Sequence, residues 1–119
     1  MILSLLLALA QAEPVMANPP RLVSGAVDSG DYPVAALAED AQGVSRIEIR
    51  IETDGTASAC RIAQSSGHEL LDAKACAVTL ERTRFAPATD QDGQPMATTV
   101  ILPIRWVTQA RPREEKATR

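Results

Sequence analysis

The strictest periodicity in the chain is the alternation in "SRIEIRIET", where Ile47, Ile49 and Ile51 interleave with Arg46, Glu48, Arg50 and Glu52. An apolar-polar repeat of two predicts a half-buried β-strand. Asp54-Gly55 follows, the dipeptide favoured by a two-residue hairpin turn of type I′. That turn sets Thr53 against Thr56, Ile51 against Ser58, Ile49 against Cys60 and Ile47 against Ile62. Cys60 and Ile62 then share the isoleucine face, and Glu48 meets Arg61 on the wet face.

"ELLDAKACAVTLERTRF" changes the period to that of a helix. Asp72 reads as its N-cap, with Leu71 and Cys76 in the positions of a hydrophobic staple. Ala73, Cys76, Ala77 and Leu80 form its predicted apolar face. "RFAPATDQDGQP" reads as a Pro-broken loop. "ATTVILPIRWV" returns to alternation as a last strand, with Val100, Leu102, Ile104 and Trp106 on one face. Pro103 has no N–H, which puts this strand on a sheet edge with the proline nitrogen outward. The amides of residues 101, 103 and 105 then belong to the open side, and those of 100, 102 and 104 to the paired side. Upstream, "GDYPVAALAEDAQG" predicts a short helix that Pro33 opens and Gly43 ends. The order strand, strand, helix, strand gives an α+β fold: a small antiparallel sheet with a helix on one face and a short preceding helix.

At 119 residues the chain is sized for one domain. Residues 1–12 read as a signal peptide, a short apolar run closed by the small-x-small Ala10-Gln11-Ala12. As a helix they would reach only about 18 Å, against about 30 Å of bilayer hydrocarbon. Residues 13–29, with Pro14, Pro19 and Pro20, are expected to be a flexible Pro/Ala-rich arm; 30–108 hold the domain, and 109–119 a charged disordered tail. A net charge of −3 without a Lys/Arg stripe argues against nucleic acid. One Tyr, one Phe and one Trp leave a core of aliphatics and alanine that a cross-link would help.

The only two cysteines, Cys60 and Cys76, point into one core from sheet and helix, and an exported domain is oxidised; a structural disulfide is the expectation. It would close a loop of about 15 residues, worth roughly 3 kcal/mol. The alternatives are a redox pair, which would favour the closer Cys-x-x-Cys spacing, and zinc, for which two cysteines and one histidine are too few. Ser65, Ser66 and His68 are adjacent in sequence without a nucleophile elbow and read as a polar turn rather than a catalytic set. Asp54 and Gly55 are turn residues rather than a calcium loop. Trp106 reads as packing rather than as a hot spot on a partner surface. No enzyme activity, metal or cofactor is expected.

"DYPVAAL", "VSRIEIRIETDGTASACRIAQSSG", "LLDAKACAVTLERTRFAPATDQDGQP" and "ILPIRW" together resemble the C-terminal domain of TonB-family proteins, over about Asp31 to Val107. The family's marks are a Tyr-Pro-x-x-Ala opening, a hairpin around a Gly turn, Ser-Ser-Gly, a Leu-Asp helix start, Phe-x-Pro-Ala after the helix and a closing strand ending in an aromatic. The resemblance implies a periplasmic interaction module in energy-coupled transport. Its implied partner is an outer-membrane TonB-dependent receptor or another envelope protein, whose extended segment adds to an exposed sheet edge. The last strand is the implied edge, with Thr99, Ile101, Arg105 and Val107 nearest the open register. The family's transducers carry a spanning anchor and a long Pro-rich spacer; this sequence reads as a free-standing form. The other expectation is a structural envelope protein that homodimerises through the same edge.

Overall fold

Complete burial of Ile47, Ile49 and Ile51 organises the domain. They lie on β3 (Gly43–Ile51), which pairs antiparallel with β4 (Ala57–Gln64) on one side and β8 (Thr98–Trp106) on the other. The computed structural model describes residues 14–108. Its other elements are β1 (Met16–Asn18), β2 (Arg21–Ser24), a 3-10 turn (Ser29–Asp31), α1 (Val34–Ala38), α2 (Glu69–Glu81), β5 (Arg84–Ala86), β6 (Ala88–Asp90) and β7 (Pro95–Met96). The helix α2 packs on the isoleucine face of the β4-β3-β8 sheet, where Leu71 and Ala75 join Phe85, Tyr32 and Trp106 in the core. The fold is thus α+β, as the patterning predicts. Among the described residues no helix is long and apolar enough to cross a membrane.

The hairpin register holds over its middle: Ile47 opposes Ile62, Glu48 opposes Arg61 and Ile49 opposes Cys60. Its turn differs from the expected two-residue form. Gly55 N–H donates to Glu52 O and Glu52 N–H to Thr56 O, both at 2.9 Å, so three residues make the loop. Ile51 consequently opposes Ala57 instead of Ser58, and the register shifts by one before Ala59. Gly55 takes a left-handed φ of 87°, and Phe85 N–H donates to its carbonyl at 2.9 Å. That contact from outside the hairpin, which alternation cannot reveal, holds the turn in the bulged form.

Helix α2 begins at Glu69, earlier than an N-cap at Asp72 would allow. Its N-cap is His68, which makes no side-chain capping bond. Asp72 is inside the helix and its carboxylate reaches back to the residues before it. The buried face is correspondingly rotated: Leu71, Ala75, Val78 and Thr79 are buried, Ala73 and Ala77 are exposed, and Cys76 lies half-buried at the margin. From that margin Cys76 still reaches Cys60; the two form a disulfide across 5.7 Å between Cα atoms, an ordinary span for the bond.

Helix α1 also departs from its expected end. It stops at Ala38 because Asp40 takes φ 56° and Ala41 N–H closes on Ala36 O at 2.9 Å, the left-handed termination usually given to glycine. Gly43 instead starts β3, where a Cβ would press on the Ser66 carbonyl. Short antiparallel pairs occupy the stretches read as arm and loop. β1 pairs with β6, β2 with β5 and β6 with β7. The expected signal peptide, residues 1–12, and the charged tail, residues 109–119, lie outside the described residues.

The β6–β7 connection repeats the hairpin turn: Gly93 N–H donates to Asp90 O and Asp90 N–H to Gln94 O, with Gly93 at φ 79°. Its surroundings differ. A Cβ at Gly93 meets nothing, whereas one at Gly55 collides with the Phe85 carbonyl. Gly93→Ala should therefore cost only the backbone strain, about 1 kcal/mol, and Gly55→Ala distinctly more, as read by urea denaturation of the two variants. Replacing both cysteines by serine should lower stability by about 3 kcal/mol in the same assay.

Candidate partner-binding edge

In the order β4-β3-β8, strand β8 has one neighbour among the described residues. Its pairing with β3 runs from Trp106 opposite Gly43 to Thr98 opposite Ile51 without a register shift. Pro103 sits in the middle of this ladder, opposite Arg46. A proline can occupy an uninterrupted ladder only where its nitrogen has no bond to give, on the open side. Backbone groups alternate along a strand, so the amides of Ile101 and Arg105 face outward as well. Among the described residues the open edge is therefore a row of backbone groups without a strand partner, with one donor missing near its centre.

The side chains of β8 divide between two faces. Val100, Leu102 and Ile104 pack against the core, and Trp106 is buried beside it. Thr99, Ile101 and Arg105 are exposed on the other face, and Val107, just past the strand, is 54 % exposed. Arg50–Glu52 (3.1 Å) and Arg61–Glu48 (2.6 Å) form ion pairs on the outer face, of the exposed kind that adds little stability. Arg46 and Arg105, diagonal neighbours across the β3–β8 ladder, make no ion pair among the described residues.

A buried polar network anchors the end of β8. Asp72 Oδ1 accepts from Ser45 Oγ (2.8 Å) and Ser66 N–H (2.9 Å), and Oδ2 accepts from Ser65 Oγ (2.5 Å). Trp106 Nε1–H donates to Ser45 Oγ at 3.2 Å. Burial works against the charged form of Asp72, but donors from Ser65, Ser66 and Ser45 outweigh it and hold the carboxyl below its ordinary range. One carboxylate thus ties α2, the turn before it, β3 and the last residue of β8. Tyr32 meets the Trp106 ring edge-on, with centroids 5.2 Å apart, and its hydroxyl donates to the Ala41 carbonyl.

The segment before the 3-10 turn is clamped at the far end of α2. Arg82 donates to both Asp31 oxygens (3.0 and 2.7 Å) and to Ala26 O (2.7 Å), and Thr83 Oγ1 donates to Gly25 O at 2.7 Å. The Asp31 carboxyl is lowered to about 2, chiefly by the Arg82 hydrogen bonds. This clamp brings Leu22, Ala26 and Val27 to face Leu102 and Ile104 across a cleft of about 190 Å³ floored by Thr79 and Thr83.

Against known families, the model of the Gram-negative bacterial TonB protein C-terminal matches residues 29–108. The chain belongs to the TonB C-terminal family. Comparison with curated proteins gives no match. Membership implies a role in TonB-dependent energy transduction as a non-catalytic coupling module, and interaction with outer-membrane receptors. TonB C-terminal domains are periplasmic. Among the residues singled out from the sequence, the structure brings Thr99, Ile101, Arg105 and Val107 together along one side of the outer strand. Ser65 and Ser66 serve Asp72, while His68 supplies backbone to the helix start. The clamp by Arg82 was not legible in the sequence: its partners are about fifty residues away, and no local pattern connects them.

The Asp31 carboxyl makes the clamp acid-sensitive. Its folded value lies below the unfolded one of 3.8, so between the two the unfolded chain binds more protons. The contribution is fully present above about pH 5 and is lost as pH falls through about 2. Asp31→Asn should flatten the corresponding part of the stability–pH curve, measured by urea denaturation between pH 6 and pH 2.

Proposed function

We propose that this domain works in the periplasm, exported by the signal peptide in residues 1–12, and takes up an extended segment of an outer-membrane transporter as a fourth strand beside β8. The observation that carries the reading is the outer ladder itself: unbroken on its inner side, open on its outer side, with its proline turned outward. Backbone pairing would give affinity, and the alternating faces of the added strand would give selectivity. Thr99, Ile101, Arg105 and Val107 are the residues proposed to lie nearest the incoming strand on the solvent side. The contribution to transport is then mechanical coupling through a paired backbone rather than chemistry.

The test is an NMR titration of the oxidised chain with peptides from the periplasm-facing N-terminal segments of TonB-dependent outer-membrane receptors. Shifts should concentrate on residues 98–107. Ile101→Pro removes a second outward donor without touching the ladder to β3, and should weaken binding by about tenfold. Shifts mapping elsewhere, or none at millimolar peptide, would overturn the reading. Dimerisation that buries β8 with no response to peptide would favour a homodimeric envelope protein instead.

A further inference from the structure

The cleft between the 22–27 segment and β8 has a floor that its own chain leaves unfinished. Thr79, wholly buried on α2, lines it, and the Thr79 hydroxyl has no hydrogen-bond partner among the described residues. A buried hydroxyl left unmet is rare, and it carries a cost that a partner removes. The neighbouring hydroxyl is already engaged: Thr83 Oγ1 donates to Gly25 O at 2.7 Å. A water needs about two to four polar partners, and the walls on either side are apolar, Leu22 and Val27 facing Leu102 and Ile104. At about 190 Å³ the cleft exceeds the roughly 150 Å³ of an apolar cavity that holds benzene.

The same cleft carries a charge. Arg105 is exposed on β8, yet it also lines the cleft, and it makes no ion pair among the described residues. Among those residues no acidic side chain lines the cleft with it. Asp28 lines the adjoining pocket past Val27, and its carboxylate accepts from Gly30 N–H at 2.9 Å. The cleft therefore offers one cation, apolar walls, and a floor hydroxyl free to donate or accept. The walls are set in advance, because Arg82 holds both Asp31 and the Ala26 carbonyl.

We propose that the cleft binds a small amphipathic carboxylate, an aromatic or branched-chain acid of about ten non-hydrogen atoms with a hydroxyl at the end away from its carboxylate. The carboxylate pairs with the Arg105 guanidinium, the body displaces water from the apolar walls, and the hydroxyl meets Thr79 Oγ1. Charge complementarity selects an anion over a neutral molecule of the same shape. The unmet Thr79 selects a polar far end over a plain hydrocarbon one. These contacts are with side chains and need no free backbone edge, so the site does not depend on strand addition. Its occupant touches the 22–27 segment and β8 at once, and fastens the N-terminal segment to the outer strand.

The test is a titration of the oxidised full chain with para-hydroxybenzoate at constant pH and ionic strength, read by NMR shift mapping and calorimetry. A ligand of this size supports a dissociation constant of about a millimolar, and shifts should map to Leu22, Val27, Thr79 and Ile104. The neutral para-hydroxybenzamide, of the same shape, should bind about tenfold more weakly, and Arg105→Ala should erase that difference. Benzoate should bind about fivefold more weakly than para-hydroxybenzoate, and Thr79→Val should erase that one. Thr79→Val should also leave stability in urea unchanged or raised, since it removes a hydroxyl that has no partner. No shifts in the cleft at about 20 mM ligand, equal affinity for acid and amide, or equal affinity for para-hydroxybenzoate and benzoate overturns the proposal. Shifts confined to arginines outside the cleft, Arg46 and Arg61, mean unspecific anion association and overturn it as well. A loss of stability in Thr79→Val means that the hydroxyl is already satisfied, and the proposal falls with it. The receptor-peptide titration is decided separately from all of these.

Discussion

Burying Ile47, Ile49 and Ile51 completely demands a helix above them and a paired strand on either side. That demand places every other part of the domain. A strand with two neighbours can lose its backbone groups from water without penalty, because both of its edges are hydrogen-bonded. The helix that covers the isoleucines is short and rich in alanine, so its grip depends on a few deep residues, Leu71, Ala75 and Val78, and on the disulfide at its margin. Once β3 is central, β4 and β8 are necessarily outer strands. The open edge of β8 is a by-product of where the isoleucines lie.

The polar interior adds direction to this apolar frame. Asp72 could not be buried alone, and its three donors come from two separate pieces of chain, β3 and the turn before α2. Through Ser45 it fixes the Trp106 indole, so the end of the outer strand is held by side chains as well as by backbone. The clamp of Arg82 on Asp31 does the corresponding work at the other end of α2, where it fixes the approach of the N-terminal segment. One helix therefore carries an ionic or polar tie at each end, and both ties bear on β8 and its surroundings.

Much of the sheet was legible because alternation reports burial directly. Ile47, Ile49 and Ile51 announced the central strand, and Pro103 announced the outer one. The misreadings share one cause, contacts from distant residues. Asp54-Gly55 looks like a two-residue turn, but Phe85 engages Gly55 from outside the hairpin and one more residue enters the loop. Asp72 looks like a cap because it follows a turn and precedes alanines, yet its oxygens are met by serines that allow the helix to start earlier. The strands β1 and β2 left no pattern: all their residues are exposed, and their partners lie sixty or more positions away. For the same reason the outward face of β8 could be read from the sequence and the cleft could not, since one of its walls belongs to the segment that looked like a linker.

The two outer strands of the main sheet are not equivalent. β4 has register irregularities at both ends, around Ser58 and around Ala63, whereas β8 is regular along its whole length. Bulges twist an edge away from further pairing. A sheet with one receptive border and one spoiled border can accept a guest but cannot grow by stacking copies of itself, because a polymer needs a donor side and an acceptor side on every subunit. On the proposed edge-addition reading, this asymmetry implies a stoichiometry of one, a single guest strand per domain.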